Sequence, residues 1–126
     1  MKLSQFIGKS QLSALRSLVK GEEGEFFVGK VTELKRVIAS MPKVYETDGQ
    51  GESAVAHLHY FMGGFDWYIT ERDYDGEQYQ AFGLADLGYG LELGYISIQE
   101  IISHGAELDL YFQPKTVGEI LAKRAA

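Results

Sequence analysis

The chain contains no cysteine, two prolines and one tryptophan among its 126 residues. The absence of cysteine excludes a disulfide scaffold, a thiol nucleophile and a thiolate metal site, and it agrees with a reducing compartment. The first ten residues lack the apolar run of a signal peptide, and no stretch approaches the roughly 20 apolar residues of a membrane span. We therefore expect a cytoplasmic protein that does not enter a membrane.

Positive charge is scarce in the second half of the chain. Residues 1–50 carry eight Lys/Arg against six Asp/Glu, whereas residues 51–126 carry four against twelve. Between Asp66 and Asp109, ten carboxylates accompany a single cation, Arg72. This field disfavours direct binding to nucleic-acid phosphates and suits a basic protein partner, such as a nucleic-acid-binding protein. The simpler interpretation is a solvated acidic surface that keeps the protein soluble.

The N-terminal third of the chain predicts two helices. Leu12 and Leu15 share one face of the first helix, with Ser10 as its N-cap and Gly21 just past its end. The second helix has an apolar face with spacings of four, three, four and three residues, formed by Phe27, Val31, Leu34, Ile38 and Met41. Pro42 forbids its continuation.

The middle of the chain predicts an antiparallel meander. Strands are expected over 54–62, 65–72 and 77–86, joined by turns at Gly63-Gly64 and Asp75-Gly76. Strands joined by such short turns run antiparallel, because a parallel pair needs a long crossover connection.

Further elements complete an α+β domain. The pattern predicts a strand over 92–96, a short helix capped by Ser97 that stops at Gly105, a last strand over 107–113, and a C-terminal helix capped by Thr116. We predict one domain, with a sheet of four or five mostly antiparallel strands packed by N- and C-terminal helices. Its parts are a helical region at 1–42, a sheet-rich core at 54–113 and a helix at 116–124, within 1–126.

Four glycines interrupt the apolar stretch from Ala81 to Ser97, namely Gly83, Gly88, Gly90 and Gly94. We assign them, together with Asp86, to a structural turn. Gly88 and Gly90 would bend the backbone, and the carboxylate of Asp86 would accept N–H groups of that bend. The spacing departs from G-x-G-x-x-G and no helix follows directly, so no nucleotide site or other cofactor is expected.

Two histidines lie two residues apart in a predicted strand. His57 and His59 should project from the same face, where they could be two ligands of a zinc site. The third ligand would be His104 or a carboxylate such as Glu71 or Asp86. The simpler interpretation is that both histidines line a solvated or partly buried sheet face.

Carboxylates and aromatic side chains dominate the sheet half. Asp66, Glu71 and Asp86 could pair for acid–base chemistry, but an acidic sheet without a catalytic role has the same pattern. A small sheet cannot bury every tyrosine, and exposed tyrosines beside carboxylates are typical of protein-recognition surfaces. The predicted binding surface consists of Asp66, Trp67, Glu71, Asp73, Tyr74, Asp86, Tyr89 and Glu92.

Two segments carry a resemblance to a known family. The sequences W-Y-I-T-E (67–71) and A-F-G-L-A-D-L-G-Y-G-L-E-L-G-Y-I-S-I-Q-E-I (81–101) resemble an uncharacterised bacterial family found on plasmids, integrative conjugative elements and phages. The family core reads F-G-L-x-D-L-G-x-G-x-x-E-L-G-Y-x-S, and Leu91 stands here where its members have proline. The resemblance covers residues 65–122 and brings no known activity, cofactor or catalytic residue. It implies a mobile-element context, in which small acidic proteins often antagonise host defence.

These observations predict a non-enzymatic accessory protein of a mobile element that acts through protein contacts of its acidic, aromatic sheet surface. One mechanism consistent with the charge pattern is occupation of the basic nucleic-acid-binding groove of a host defence protein. Two alternatives stay open. The first is a small metal-dependent hydrolase that uses His57, His59 and a carboxylate. The second is a homodimeric structural module, which needs an exposed apolar strip on an edge strand.

Overall fold

A computed structural model describes residues 2–74 and 76–125, with only the backbone of Ala125. Asp75, one half of the predicted Asp75-Gly76 turn, lies outside the described residues. The helices of the described chain are α1 (Lys9–Val19), α2 (Gly24–Ser40), α3 (Ile98–Ser103) and α4 (Val117–Ala125). Short 3-10 turns at Leu3–Gln5 and Gly51–Ser53 precede the first helix and the first strand.

The strands form a five-stranded antiparallel sheet and a small two-stranded one. The strands are β1 (Val55–Ala56), β2 (Leu58–Met62), β3 (Phe65–Glu71), β4 (Ala81–Asp86), β5 (Leu91–Ile96), β6 (Glu107–Leu108) and β7 (Lys115–Thr116). The larger sheet has the order β5-β4-β3-β2-β6, and β1 pairs with β7. The predicted single α+β domain, with its meander and terminal helices, is confirmed.

The first three helices pack against one face of the sheet, which we call the helical face. Alternate strand residues such as Leu58, Tyr60 and Ile69 contribute to one core with Leu15 of α1 and Ile38 of α2. The hydroxyl of the fully buried Tyr60 donates to the carbonyl of Phe6 at 2.5 Å, and burial raises the pKa of this tyrosine. This hydrogen bond ties the N-terminal segment to the centre of the sheet.

The opposite face, which we call the outer face, is covered in part by α4. Val117 and Ile120 of α4 pack with Ala56 and Leu84 in a second, smaller core. Helix α4 begins at a reciprocal capping box, as the sequence predicts, because Glu119 N donates to Thr116 Oγ1 at 3.1 Å and Thr116 N donates to Glu119 Oε1 at 3.2 Å. The C-terminal helix therefore takes up a defined position over the sheet. None of the helices in the described ranges is long and apolar enough to span a bilayer.

The strand expected over 54–62 is divided into β1 and β2, which belong to different sheets, and three further boundaries differ from the prediction. The N-cap of α1 is Gly8 rather than Ser10. The strand expected over 77–86 begins at Ala81, because Gln78 adopts a φ of 66° and its buried side chain accepts the N–H of Asp73. The strand expected over 107–113 ends at Leu108, since the carboxylate of Asp109 accepts the N–H of Tyr111 and turns the chain.

Two of the glycines assigned to the turn are strand residues. Gly83 of β4 lies opposite Gly94 of β5 in the sheet register, and only Gly88 and Gly90 have positive φ in this region. A Cβ atom added at Gly83 would lie 1.9 Å from the carbonyl oxygen of Tyr68. Glycine is needed there for a close backbone approach rather than for a bend.

Candidate binding cleft and the neighbouring polar network

A chain of polar side chains crosses one end of the outer face. His59 Nε2 lies 2.8 Å from Asp66 Oδ1, and His59 Nδ1 lies 3.1 Å from Asp109 Oδ2. Arg124 of α4 donates to Asp66 Oδ2 and to Asp86 Oδ2, each at 2.6 Å. We call these five residues the polar network. Each carboxylate in it faces a basic or imidazole side chain of the same molecule.

Neighbouring groups stabilise the charged forms in the polar network. Gly88 N donates to Asp86 Oδ1 at 2.9 Å, and this bond together with Arg124 lowers the pKa of Asp86. A hydrogen bond with Tyr68, followed by the interaction with Asp66, raises the pKa of Arg124. Both terminal nitrogens of the Arg124 guanidinium donate to carboxylates, one on β3 and one on β4. These hydrogen bonds hold α4 against the two strands.

A cleft of about 260 Å³ lies at the other end of the outer face, between the loop 44–51 and the ends of β3, β4 and β5. We call it the tyrosine cleft. Its polar and aromatic lining residues are Tyr45, Thr47, Asp48, Thr70, Glu71, Phe82 and Tyr95. No Lys, Arg or His is among the residues that line it. The two carboxylates of the cleft, Asp48 and Glu71, therefore have no basic side chain beside them among the lining residues.

Glu71 holds the loop that forms one wall of the tyrosine cleft. Its side chain is only 2% exposed, so its oxygens must find partners within the protein. Oε1 accepts the N–H of Tyr45 at 3.2 Å, and Oε2 accepts the N–H and the hydroxyl of Thr47 at 2.7 and 2.6 Å. These bonds fix Tyr45 in a backbone conformation with a φ of 79°. The buried carboxylate is thus the anchor of the loop.

The aromatic walls of the cleft touch one another. The hydroxyl of Tyr95 donates to that of Tyr45 at 3.1 Å, and the Tyr95 ring meets Phe82 edge to face at 5.5 Å between centroids. The bond to Tyr45, desolvation and the fields of Asp48 and Glu71 raise the pKa of Tyr95. Aromatic faces beside carboxylates form a suitable receptor for an ammonium or guanidinium group.

Three members of the predicted binding surface are buried. Trp67, Glu71 and Asp73 are 6, 2 and 9% exposed. Trp67 belongs to the core of the helical face. Asp73 accepts the N–H groups of Tyr79 and Gln80, both at 3.0 Å, and so organises the irregular segment before β4. These three residues therefore do not belong to an exposed surface, because the fold requires their side chains inside.

The other five members do not form one patch. Asp66 and Asp86 lie in the polar network. Tyr74 is exposed, with Lys43 Nζ 5.3 Å from its ring centroid, and Tyr89 is exposed in the turn after β4. Glu92 lies opposite Ala85, which packs on the helical face, so it points away from the tyrosine cleft. The predicted surface thus divides between two faces of the sheet.

Glu71 is the one cleft residue that the predicted surface contains; sequence reasoning missed Tyr95 of β5 and the loop residues Tyr45 and Asp48. The two loop residues belong to a polar, glycine-containing loop whose local pattern says nothing about its neighbours. The position of this loop depends on Glu71, which binds Thr47 and Tyr45 although they lie 24 and 26 residues before it in the sequence. The one available signal was the concentration of tyrosine together with carboxylates in this protein.

The histidines do not assemble the expected metal site. His59 is in the polar network, whereas His57 lines a small cavity of about 30 Å³ that Asp109 of the network also lines, and burial lowers the pKa of His57. The carboxylate of Glu71 is bound to the loop, and the ring of the exposed His104 lies against the carbonyl of Glu100. Within residues 2–74 and 76–125, no group of three His, Asp or Glu side chains could hold a metal ion.

Comparison with known proteins gives one match. A family model described as "Protein of unknown function (DUF2958)" matches residues 30–123. Because the match spans well over half of the chain, the protein belongs to this family. The matched part begins within α2 and contains the tyrosine cleft and every residue of the polar network except Arg124, so it is longer than the resemblance over 65–122 indicated. No curated protein and no solved structure matches the chain.

Proposed function

We propose that this member of the DUF2958 family is a non-enzymatic binding protein whose tyrosine cleft receives a basic side chain of a protein partner. One observation supports the proposal above the others. The cleft combines the carboxylates of Asp48 and Glu71 with the rings of Tyr45 and Tyr95, and none of its lining residues is basic. It is complementary to a cation that the chain itself does not supply.

The dimensions of the cleft favour a side chain over a small-molecule substrate. Its volume of about 260 Å³ is below the range of about 300–1,000 Å³ that is usual for small-molecule sites. Arginine suits it best, because the planar guanidinium stacks on aromatic faces and pairs with carboxylates. The exposed Asp48 offers free acceptor oxygens, whereas Glu71 contributes mainly its charge, since three bonds already occupy its oxygens.

The partner that we propose is a basic, nucleic-acid-binding protein. The net charge of −6 opposes binding of nucleic acid itself and favours binding of a protein that carries a basic groove. The resemblance to a family of plasmids, conjugative elements and phages supports a host defence protein as that partner. In this role the chain would occupy the groove and compete with nucleic acid.

The cleft is tested by NMR titration of the ¹⁵N-labelled full chain with a five-residue peptide, Gly-Gly-Arg-Gly-Gly, blocked at both ends. We expect amide shifts at residues 45–48 and 93–95, and none with the citrulline version, which lacks the charge. Asp48→Asn should weaken binding about threefold, as expected for one exposed ion pair. The matched control is Glu92→Gln, because Glu92 is an exposed carboxylate on the opposite face and its loss should leave the affinity unchanged.

Equal shifts with the arginine and citrulline peptides would overturn the proposal that the cleft binds a cation. Equal losses of affinity in Asp48→Asn and Glu92→Gln would overturn it as well. The partner is tested by capture from host cells with the wild-type chain and with Asp48→Arg. Proteins retained by the wild type alone should be basic, and the wild-type chain should displace nucleic acid from them. A partner that binds the chain and its nucleic acid simultaneously would contradict the competitive role.

A second candidate function, a homodimeric module, is favoured by the edge strand β5. This strand ends the sheet, and both Leu93 and Tyr95 on its outer-face side are 54% exposed. Unpaired edge strands with apolar side chains readily pair with another copy. Light scattering over a range of concentrations would show a dimer that Leu93→Glu converts to monomer. Because Leu93 also lines the tyrosine cleft, Asp48→Asn separates the two functions: it should weaken binding of the arginine peptide and leave the dimer intact.

A further inference from the structure

A second concavity lies on the opposite side of the molecule. It is a groove of about 590 Å³ between the 3-10 turn Leu3–Gln5, α1 and α2. We call it the helical groove. Its floor is apolar and consists of Leu3, Leu12, Leu15, Val19 and Val31. Apolar side chains at the bottom of an open groove are a common feature of peptide-binding surfaces.

The charged residues at the rim of the helical groove are all basic. Lys2, Arg16, Lys20 and Lys35 line it, all four are exposed, and no carboxylate is among the lining residues. In the described part of the chain, none of the four forms an ion pair. A protein of net charge −6 thus keeps a third of its twelve cations around one apolar groove.

The spacing of the floor residues matches a helix as the occupant. Leu12, Leu15 and Val19 lie three and four residues apart on α1, so they form a stripe about 10 Å long, or two helical turns. A docking helix with apolar residues at i, i+3, i+4 and i+7 covers the same length. Nucleic acid would leave the apolar floor unused, and a bilayer surface would not enter a concave groove.

We propose that the helical groove binds an acidic amphipathic helix of a protein partner. The apolar stripe of that helix would lie on the floor, and its flanking carboxylates would face the four cations of the rim. Eight of the ten lining residues precede residue 30, where the family match begins. The groove shares no lining residue with the tyrosine cleft, so it is a second site and does not depend on the function proposed for that cleft.

The test uses a fluorescein-labelled 16-residue helical peptide with leucine at i, i+3, i+4 and i+7, glutamate on both flanks and alanine elsewhere. Fluorescence anisotropy with the full chain should show saturable binding. The double variant Arg16→Glu/Lys20→Glu should weaken it about tenfold, because two attractions become repulsions. Arg36→Glu is the matched control, since Arg36 is an exposed cation of α2 outside the groove, and it should change the affinity less than twofold.

Two further peptides and one lipid probe decide the outcome. Replacing the leucines by serine, or the glutamates by lysine, should each reduce binding at least tenfold. Undiminished binding of the serine peptide, or an equal loss in Arg36→Glu, would show a diffuse charge effect and overturn the proposal. Binding to vesicles of 70% phosphatidylcholine and 30% phosphatidylglycerol without binding to the peptide would overturn it in favour of a membrane. The double variant Arg16→Glu/Lys20→Glu should bind the arginine peptide with the affinity of the wild type. This result would show that the helical groove and the tyrosine cleft are separate sites.

Discussion

The two ends of the outer face have similar side chains and different properties. The polar network and the tyrosine cleft both place carboxylates beside tyrosines on one face of the same sheet. In the network, Arg124 and His59 lie between the carboxylates. In the cleft, no basic side chain is present among the lining residues.

This difference shows why acidic composition is a poor guide to a binding surface. A carboxylate that already pairs with its own chain has little left to offer a partner, and it serves mainly to hold the fold together. Asp66 and Asp86 belong to that class because α4 brings Arg124 onto them. Asp48 belongs to the other class, and the cleft around it is the site that we propose for a partner.

The largest effect that we expect is the one of Gly83→Ala on stability. This change should disturb the end of the sheet that forms the tyrosine cleft before it disturbs the polar network. The register between β3 and β4 shifts between Ile69 and Glu71, and Gly83 lies opposite Ile69. The added Cβ would lie 1.9 Å from the carbonyl oxygen of Tyr68, which is backbone and cannot yield without distorting the sheet. We expect a loss of more than about 3 kcal/mol in the free energy of unfolding, measured by urea denaturation.

The matched control for this change is Gly94→Ala on the neighbouring strand. A Cβ added at Gly94 meets no atom within 4 Å, and its backbone conformation is open to other residues. Its unfolding free energy should stay within about 1 kcal/mol of the wild type. Equal losses in the two variants would show that the close approach at Gly83 is not what matters.

An intermediate effect is expected for Glu71→Ala, which removes the anchor of the cleft loop. The change leaves the N–H groups of Tyr45 and Thr47 without their acceptor. Hydrogen bonds to a charged group contribute about 1.5–3 kcal/mol, and part of this loss is offset because the released N–H groups can bond to water. We therefore expect the unfolding free energy to fall by about 2 kcal/mol. Urea denaturation measures the loss, and NMR should show that residues 45–48 no longer respond to the arginine peptide. Glu92→Ala, at an exposed site, should change stability by less than about 0.5 kcal/mol.

The smallest effect is expected for Arg124→Met, which removes the guanidinium group that pairs with Asp66 and Asp86. The arginine side chain is 40% exposed, so solvent screens both ion pairs and the expected loss is about 1 kcal/mol. The difference from the wild type should shrink in about 1 M salt, where charges are screened within about 3 Å. A loss that does not change with salt would mean that the arginine acts through packing.

The same network predicts a pH dependence. The folded-state pKa of Asp86 is lowered by the N–H of Gly88 and by Arg124, so its ionised form stabilises the fold. That contribution is present above the ordinary pKa of 3.8 and is lost as the pH falls through the lower folded value. Stability should therefore fall less steeply below about pH 4 in Asp86→Asn than in the wild type.

Local patterns predicted much of the architecture, because helices, strands and caps depend on nearby residues. The apolar spacing of α2, the meander of β2 to β4 and the cap at Ser97 all follow from neighbouring side chains. The element boundaries that were predicted wrongly depend on side-chain contacts that the local sequence pattern does not contain. Gln78 delays the start of the expected strand to Ala81 because its side chain binds Asp73, and no periodicity encodes that bond.

The sequence by itself determined the α+β class, the antiparallel meander and the acidic, tyrosine-rich character of the sheet half. Only the tertiary structure decided which carboxylates are available. Arg124 lies 58 residues from Asp66 and 38 from Asp86, and it meets both because α4 folds back over the outer face. Glu71 reaches 24 residues back to Thr47 in the same way. Charge is a property of composition, but neutralisation depends on distance, and distances between remote residues exist only once the chain is folded.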